Sequence, residues 1–162
     1  MKYLLFILSL FISINANAQN KNKKSLLRDG NKLYTDSSYN EAEMKYRKSL
    51  EKDQEYFNAS FNLADAIYKQ QRYKESSALF DALKDNVNNK TDLAKIYHNL
   101  GNSLAKEQKL EEAINAYKNA LRITPNDEDT RYNLALTTKQ RNQQENKEDQ
   151  QENKEDQQEN KE

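Results

Sequence analysis

The chain has 162 residues, of which 35% are hydrophobic and 32% charged, and its formal net charge at pH 7 is zero. It contains no cysteine, one histidine, two glycines and one proline. This composition excludes disulfide bonds and thiolate chemistry, and a chain without excess positive charge is not expected to bind nucleic acid. With a single histidine and no glycine-rich phosphate loop, we expect no metal, no cofactor and no enzymatic activity.

The N-terminus has the features of a secretory signal. Lys2 is followed by an apolar run from Tyr3 to Ile14, and Ala16-Asn17-Ala18 forms a cleavage site of small residues. We therefore predict a signal peptide over residues 1–18, with Gln19 as the mature N-terminus. The apolar run is short for a membrane span, and an uncleaved signal that acts as an anchor is the alternative. Export without cysteine, in a Lys- and Asn-rich composition suggestive of a bacterium, predicts a periplasmic location.

A helix-pair pattern follows and recurs at a period of about 34 residues. Its clearest segment reads Tyr39-Asn-Glu-Ala42, then Tyr73-Lys-Glu-Ser76, then Leu110-Glu-Glu-Ala113. Within each helix the apolar residues recur at spacings of three and four, so each helix has one face to bury. A fixed period of this length predicts an all-α solenoid of helix-turn-helix units. The three repeats are predicted at residues 23–56, 57–90 and 94–127.

These repeats resemble the tetratricopeptide repeat (TPR), a helix-turn-helix of 34 residues. The third copy matches the family pattern best at its small, aromatic and proline positions, which are Gly101, Ala113, Tyr117 and Pro125. Where proline is usual, the first copy has Gln54 and the second copy has Asn88. The second copy also has Ser76 at a position that usually holds alanine. The resemblance implies a TPR solenoid whose first helices line a concave groove that binds peptides.

The segments around the third copy complete the predicted array. Three residues inserted within 85–93 are expected to lengthen the loop between the second and third copies. Residues 128–142 return to the first-helix pattern and predict a cap helix that solvates the end of the array.

The last segment, residues 143–162, is a low-complexity acidic tail. It repeats Gln-Gln-Glu-Asn-Lys-Glu-Asp nearly three times and carries eight acidic and three basic residues. No position of this seven-residue repeat is apolar, so it has no coiled-coil seam to bury. We predict a largely disordered tail with transient helix from Glu–Lys pairs. The alternative is an arm that reaches a basic partner or folds back on the groove.

The resemblance implies that the first helix of each repeat lines the groove. The sixth residue of the second repeat, of the third repeat and of the cap helix is an asparagine in each case. These residues are Asn62, Asn99 and Asn133. An amide side chain carries both donors and an acceptor, so a ladder of amides can pair with a peptide backbone of any sequence. The alternative is coincidence, because asparagine is common in this chain. His98, at position 5, is a further candidate for recognition, and an ordinary surface histidine is the alternative for it.

A second hypothesis is the carboxylate clamp of chaperone-binding TPR domains, which grips a C-terminal carboxylate. Asn31, Asn62 and Lys95 match three of its five positions. At the other two positions, where the clamp has cations, this chain has Leu27 and Asn99, although Arg28 lies beside Leu27. The loss of these two cations removes most of the charge-assisted binding of the carboxylate.

The resemblance implies a non-enzymatic scaffold or adaptor that binds a protein segment. The order of signal peptide, short TPR array and Gln/Glu/Lys-rich tail is similar to the small TPR member of the Bacteroides aerotolerance (Bat) family. That similarity implies a cell-envelope complex beside membrane proteins with von Willebrand A domains. The alternatives are a periplasmic chaperone-like binder of many clients and an enzyme subunit, for which the sequence offers no catalytic constellation.

Overall fold

The computed structural model describes residues 22–87 and 89–159, with side chains up to residue 147. The predicted signal peptide at residues 1–18 lies outside this range, as do Asn88 and residues 160–162. All secondary structure in the described residues is helical, which confirms the all-α prediction. In chain order the helices are α1 (residues 22–35), α2 (Tyr39–Leu50), α3 (Phe57–Lys69), α4 (Tyr73–Leu83), a 3-10 turn (Lys84–Asn86), α5 (Lys90–Lys106), α6 (Leu110–Ile123) and α7 (Glu128–Glu159).

The chain divides into two compact units, and the boundary falls within α4, after Leu79. In the first unit, α1 and α2 form the helix pair of the predicted repeat 23–56, and α3 starts at the first residue of the next repeat. The core of this unit is built from the apolar stripes of these helices: Leu27, Ala42, Tyr46, Ala59, Leu63, Ala66 and Ile67.

In the second unit, α5 and α6 form a helix pair, and α7 packs mainly against α6. Its buried apolar residues lie at the three- and four-residue spacings that the sequence predicts. Those on α5 and α6 are Ala94, Ile96, Leu100, Leu104, Leu110, Ala113, Ile114, Ala116, Tyr117 and Ala120.

The small position of the second repeat holds a buried polar residue, Ser76. Its hydroxyl donates a hydrogen bond to the carbonyl oxygen of Ala64 at 2.9 Å. A small side chain with a satisfied hydroxyl can therefore replace the usual alanine without leaving a buried polar atom unpaired.

The two glycines allow a tyrosine ring to lie against a helix backbone. A Cβ at Gly30 would lie 2.5 Å from Cε1 of Tyr46, and a Cβ at Gly101 would lie 2.6 Å from Cε1 of Tyr117. Neither distance is compatible with a side chain, so glycine is required at both positions for steric reasons. The same glycine–tyrosine contact thus occurs once in each unit.

The turn inside each repeat contains one residue with left-handed backbone geometry. The φ angles are 59° at Ser37, 63° at Gln71 and 63° at Gln108. These residues occupy the same position in the three predicted repeats. In the third repeat, the N–H of Lys109 donates to the carbonyl oxygen of Leu104 at 3.0 Å, which closes the helix with a Schellman-type cap.

The three inserted residues are accommodated differently from the prediction of a longer loop. The chain forms the 3-10 turn at Lys84–Asn86, and α5 already begins at Lys90, before the predicted repeat start at residue 94. The side chain of Asn89 accepts a hydrogen bond from the backbone N–H of Thr91 at 2.9 Å. This N-cap stabilises an additional helical turn, which takes up part of the insertion.

The tail also differs from the sequence-based expectation. The cap helix was predicted to end at residue 142, but α7 continues without a break to Glu159. Neither Gly nor Pro interrupts this segment, and Gln, Glu and Lys are good helix formers. The Glu–Lys pairs that we expected are not the cause, because Lys147 and Lys154 have glutamine at every position three or four residues away.

Candidate functional site

In the first unit, Asn31 of α1 joins a residue of α2 to a residue of α3. The hydroxyl of Tyr46 donates to Oδ1 of Asn31 at 3.0 Å, and the side-chain amide of Asn62 donates to the same oxygen at 2.8 Å. Asn31 is exposed and Asn62 half-buried. Burial raises the pKa of Tyr46 to about 12, so its hydroxyl keeps the proton that it donates. The structure thus brings together two of the predicted groove residues.

The second unit contains the same arrangement around Asn102 of α5. The hydroxyl of Tyr117 donates to Oδ1 of Asn102 at 2.8 Å, and the amide of Asn133 donates to that oxygen at 2.9 Å. Both asparagines are half-buried. We call each of these clusters an Asn–Asn–Tyr triad, one formed by Asn31, Asn62 and Tyr46 and the other by Asn102, Asn133 and Tyr117.

Sequence reasoning missed Asn102, although a signal for it was present. Each glycine that contacts a tyrosine is followed directly by an asparagine, in Gly30-Asn31 and in Gly101-Asn102. In both triads the two asparagines are 31 residues apart. Because the spacing and the dipeptide are repeated, comparing the first and third repeats would have identified Asn102.

Each triad leaves hydrogen-bonding capacity for a ligand. An asparagine side chain has two N–H donors and a carbonyl oxygen that can accept twice. Asn62 and Asn133 each use one N–H within their triad, and their carbonyl oxygens have no partner among the described residues. The bond to the neighbouring asparagine fixes the orientation of the amide, which reduces the entropy lost on binding.

The other predicted residues of the second unit lie on α5 and have different surroundings. Lys95 is exposed, and its ammonium group lies 3.1 Å from Oδ1 of Asp92. Asn99 is half-buried, and its carbonyl oxygen is 3.5 Å from Nδ2 of Asn102, which is a long hydrogen bond. The structure therefore places Asn99 beside the second triad without making it a member.

His98 is held between α5 and α7. Its Nδ1 lies 2.6 Å from Oγ1 of Thr130, and its ring contacts that of Tyr117 edge to face, with the centroids 6.2 Å apart. Burial lowers the pKa of His98 below its ordinary value, against the opposing charges of Asp127 and Asp129. His98 is therefore a half-buried, hydrogen-bonded side chain, and its role in recognition stays a prediction.

The first unit also explains why one cation of the carboxylate clamp is missing. Leu27 is only 9% exposed and belongs to the core of the unit. Arg28, the next residue, is exposed and has no charged partner within the described residues. The helix register therefore assigns the clamp position to packing, and the neighbouring cation lies on a different face of α1.

The part of the chain that the structure describes offers neither a metal site nor a membrane-spanning helix. In that part, no group of three or more histidine, aspartate or glutamate residues is arranged to hold a metal ion. Nor does any helix within the described ranges have the length and apolar character to cross a bilayer.

Comparisons with known proteins agree with this helix arrangement. Residues 27–90 match a family model for the tetratricopeptide repeat, and residues 101–140 match a second TPR model. No curated protein sequence matches the chain.

Several solved structures have a similar fold. The first TPR of Spaghetti (RPAP3), bound to the HSP90 peptide SRMEEVD, is 24% identical; the match covers 74% of this chain and 92% of that chain, with a TM-score of 0.68. The first TPR domain of human RPAP3 is 24% identical over 77% and 96% of the two chains, with a TM-score of 0.70. MamA from Desulfovibrio magneticus is 21% identical over 75% and 67%, with a TM-score of 0.69.

Proposed function

The chain is a tetratricopeptide-repeat protein, and on that premise we propose that it is a non-enzymatic scaffold or adaptor that binds a segment of another protein. The observation that carries this proposal is the Asn–Asn–Tyr triad, which is built with the same contacts in both units. In each unit, an oriented amide with free capacity is suited to a peptide backbone, which offers alternating N–H donors and C=O acceptors.

The ligand is proposed to be an internal segment of the partner. The similar Spaghetti domain was solved with an HSP90 peptide, which supports peptide binding by this fold. A carboxylate clamp like that of chaperone-binding domains needs cations that this chain lacks, because Leu27 is buried and Asn99 is uncharged. Backbone pairing and apolar contact would then supply most of the affinity.

For the biological setting we propose a bacterial cell-envelope complex of the aerotolerance type. The support is the predicted signal peptide at residues 1–18 together with the order of segments in the chain. In this setting the protein is periplasmic, and its partners are membrane proteins with von Willebrand A domains. An adjacent gene pair that encodes such proteins would support the setting.

A second candidate function is a periplasmic chaperone-like binder with many clients. The same amides favour it, because hydrogen bonds to a peptide backbone do not depend on the sequence of the client. The two functions differ in the number of partners: a dedicated scaffold forms one stoichiometric complex, and a chaperone-like binder forms many weak ones.

Photo-crosslinking in living cells distinguishes these functions. A photoreactive amino acid is placed at position 99, beside the second triad, and the adducts are identified by mass spectrometry. The matched control has the same amino acid at position 115 of α6, where the natural asparagine is exposed. One dominant adduct from position 99, absent from position 115, supports the dedicated scaffold and identifies its partner.

The other results have equally definite meanings. Many periplasmic adducts from position 99 would favour the chaperone-like function. Equal adducts from both positions, or none from either, would contradict peptide binding at the second triad. A dominant cytoplasmic partner would contradict the proposed periplasmic setting.

A further inference from the structure

A chain of hydrogen bonds connects His98 to the start of α7. Oγ1 of Thr130 lies 2.6 Å from Nδ1 of His98 and donates to Oδ2 of Asp127 at 2.6 Å. The other carboxylate oxygen of Asp127 accepts from the backbone N–H of Thr130 at 3.1 Å, so Asp127 is also the N-cap of α7. Thr130 is fully buried. This three-residue arrangement, His98–Thr130–Asp127, lies entirely within the second unit.

The positions of the protons in this arrangement follow from the donor count. Partial burial acts to raise the pKa of Asp127, but the hydrogen bonds from Thr130 and the charge of His98 hold this pKa below its usual range. Asp127 is therefore ionised at neutral pH and can only accept hydrogen bonds. The single hydroxyl proton of Thr130 is donated to Asp127, so the short contact with His98 requires a proton on Nδ1.

The opposite ring nitrogen of His98 is then a bare acceptor. Burial lowers the pKa of His98, so the ring is neutral at pH 7 and carries one N–H. With that proton on Nδ1, Nε2 presents a lone pair.

Nε2 is also accessible. Among the described residues, no buried side-chain nitrogen or oxygen lacks a hydrogen-bond partner, and the bond that His98 makes there is through Nδ1. Nε2 must therefore be in contact with solvent. Asn102 of the second triad is one helical turn further along α5, on the same face.

We propose that Nε2 of His98 accepts a hydrogen bond from an N–H group of the bound segment, and that Thr130 and Asp127 are positioning residues that fix the tautomer. This inference rests on the proposed function, because it names the chemical group of the bound segment that the second unit recognises. The charges that act on the ring are those of the Asp127 and Asp129 carboxylates, and Tyr117 is the titratable group that packs against it from α6. These surroundings favour a donor over an acceptor in the ligand.

The tautomer can be measured without any ligand. His98 is the only histidine, so long-range proton–nitrogen NMR of the untagged, nitrogen-15-labelled full chain reports a single imidazole. At about pH 8, where the ring is neutral, we expect a protonated Nδ1 and an unprotonated Nε2. The reverse assignment in the wild-type chain would overturn the inference.

Two substitutions test the positioning role. Thr130→Val keeps the shape but removes the hydroxyl and should shift the ring towards the tautomer with a proton on Nε2. Thr130→Ser keeps the hydroxyl and should retain the wild-type spectrum. A merely structural role for Thr130 would not change the nitrogen chemical shifts in this way, provided that circular dichroism shows equal helicity for both variants.

Recognition is tested by the yield of the position-99 adduct. Loss of one neutral hydrogen bond of about 1 kcal/mol corresponds to an adduct yield about fivefold lower in Thr130→Val, with no change in Thr130→Ser. Crosslinking in lysate at about 0.05 M and 0.5 M NaCl separates the two sources of an N–H donor, because salt weakens contact with a basic side chain but hardly affects a backbone amide.

The outcomes separate this inference from the function on which it rests. A confirmed tautomer with equal adduct yields in both variants would overturn the recognition role of His98 and leave the scaffold function standing. An absence of adducts from every variant and from the wild-type background would contradict peptide binding at the second triad, and with it both the proposed function there and this inference, whatever the tautomer.

Discussion

The hydroxyl of Tyr117 donates a hydrogen bond to Oδ1 of Asn102 at 2.8 Å, and this bond ties a core aromatic side chain to the surface on which a ligand is proposed to bind. The ring of Tyr117 is buried against Gly101, so its position is fixed by packing. Asn102 in turn accepts from Asn133 and orients its amide. The repeat therefore links fold stability and ligand recognition through one side chain.

Replacing Asn102 with alanine should affect both properties. The substitution removes the shared acceptor of Tyr117 and Asn133, and we expect a loss of about 1–2 kcal/mol in the free energy of unfolding, measured by urea denaturation. Asn115→Ala, at an exposed position on α6, should change stability by less than about 0.5 kcal/mol. Equal effects of the two substitutions would show that the triad contributes nothing to stability.

The glycine–tyrosine contact predicts a large effect of adding one methyl group. In Gly101→Ala the new Cβ would lie 2.6 Å from the Tyr117 ring, which must move. We expect destabilisation of about 1–3 kcal/mol, as for other overpacked cores, measured as a lower denaturation midpoint. The double variant Gly101→Ala/Tyr117→Leu should be less destabilised than the sum of its two single substitutions, because the smaller side chain makes room for the new Cβ. A neutral Gly101→Ala would contradict a steric requirement for glycine at this position.

The left-handed turn residues offer sites for stabilisation. Gln108 has a φ of 63°, a conformation that glycine adopts without the steric cost of a Cβ. Gln108→Gly should therefore raise the free energy of unfolding by about 0.5–1 kcal/mol, despite the added flexibility of the unfolded chain. Gln108→Ala serves as the control and should give no gain, since it keeps the Cβ. Thermal denaturation followed by circular dichroism measures both variants.

Glu43 in the first unit should make a contribution to the free energy of unfolding that depends on pH. Its side chain is 12% exposed and lies 2.7 Å from both Arg47 and Arg72. Burial acts to raise its pKa, but hydrogen bonds from Gln70 and the two arginines lower it below the ordinary value of 4.5. The folded state thus favours the ionised form, so the contribution is present above pH 4.5 and is lost as the pH falls through the lowered pKa.

Glu43→Gln measures this contribution. At neutral pH it should destabilise the chain by about 1.5–3 kcal/mol, the range for hydrogen bonds to a charged group, and it should flatten the acid limb of the stability curve. Glu41→Gln, at an exposed position of the same helix, is the control. If the loss of stability at acid pH is the same in Glu43→Gln as in the wild-type chain, that loss is caused by other carboxylates.

His98 should produce a second pH dependence of stability, because folding favours its neutral form, whereas folding favours the ionised form of Glu43. Burial lowers its pKa from the ordinary 6.5, so the folded chain favours the neutral ring more than the unfolded chain does. Stability should therefore be highest above pH 6.5 and decline as the pH falls below it, levelling off below the lowered pKa. Urea midpoints at pH 8 and about pH 5.5 should differ in the wild-type chain and differ less in His98→Gln. The same pH difference in both would exclude His98 as the cause.

The repeat register, and with it the fold, could be predicted from sequence because packing enforces it. Gly30 and Gly101 must be small, Tyr46 and Tyr117 must be aromatic, and the spacing between them follows from the helix pair. These constraints act on residue type and so are visible in one sequence. The helical pattern within each repeat adds independent support.

The hydrogen-bonded parts of the site could be predicted only in part. The sequence predicts Asn31, Asn62 and Asn133 as ligand contacts, and this stays a prediction, but their bonds within the triads depend on side-chain geometry that residue spacing does not show. Asn102 was not predicted, because the repeat position that it shares with Asn31 was interpreted as a ligand contact in the first repeat alone. The link from His98 to Asp127 was missed because Thr130, a buried residue with a short polar side chain, looks unremarkable on a helix.

The helical tail could not be predicted for another reason. A run of Gln, Glu, Asn, Lys and Asp has high helix propensity but no apolar face, so sequence alone suggests a solvated coil. The structure continues α7 through it to Glu159 from the packed part of the helix. Elongation from an existing helix avoids the cost of nucleation, which an isolated segment would have to meet.

The measurement that tests the central claim most directly is the affinity of the captured partner segment for a triple variant of the full chain. Asn62, Asn99 and Asn133 are changed together to alanine, and a control variant carries Asn40→Ala, Asn115→Ala and Asn126→Ala at exposed positions elsewhere. Titration calorimetry should show binding at least about tenfold weaker in the triple variant and unchanged in the control, with equal helicity in both. Equal affinity in the triple variant and the wild-type chain would contradict ligand binding through these amides.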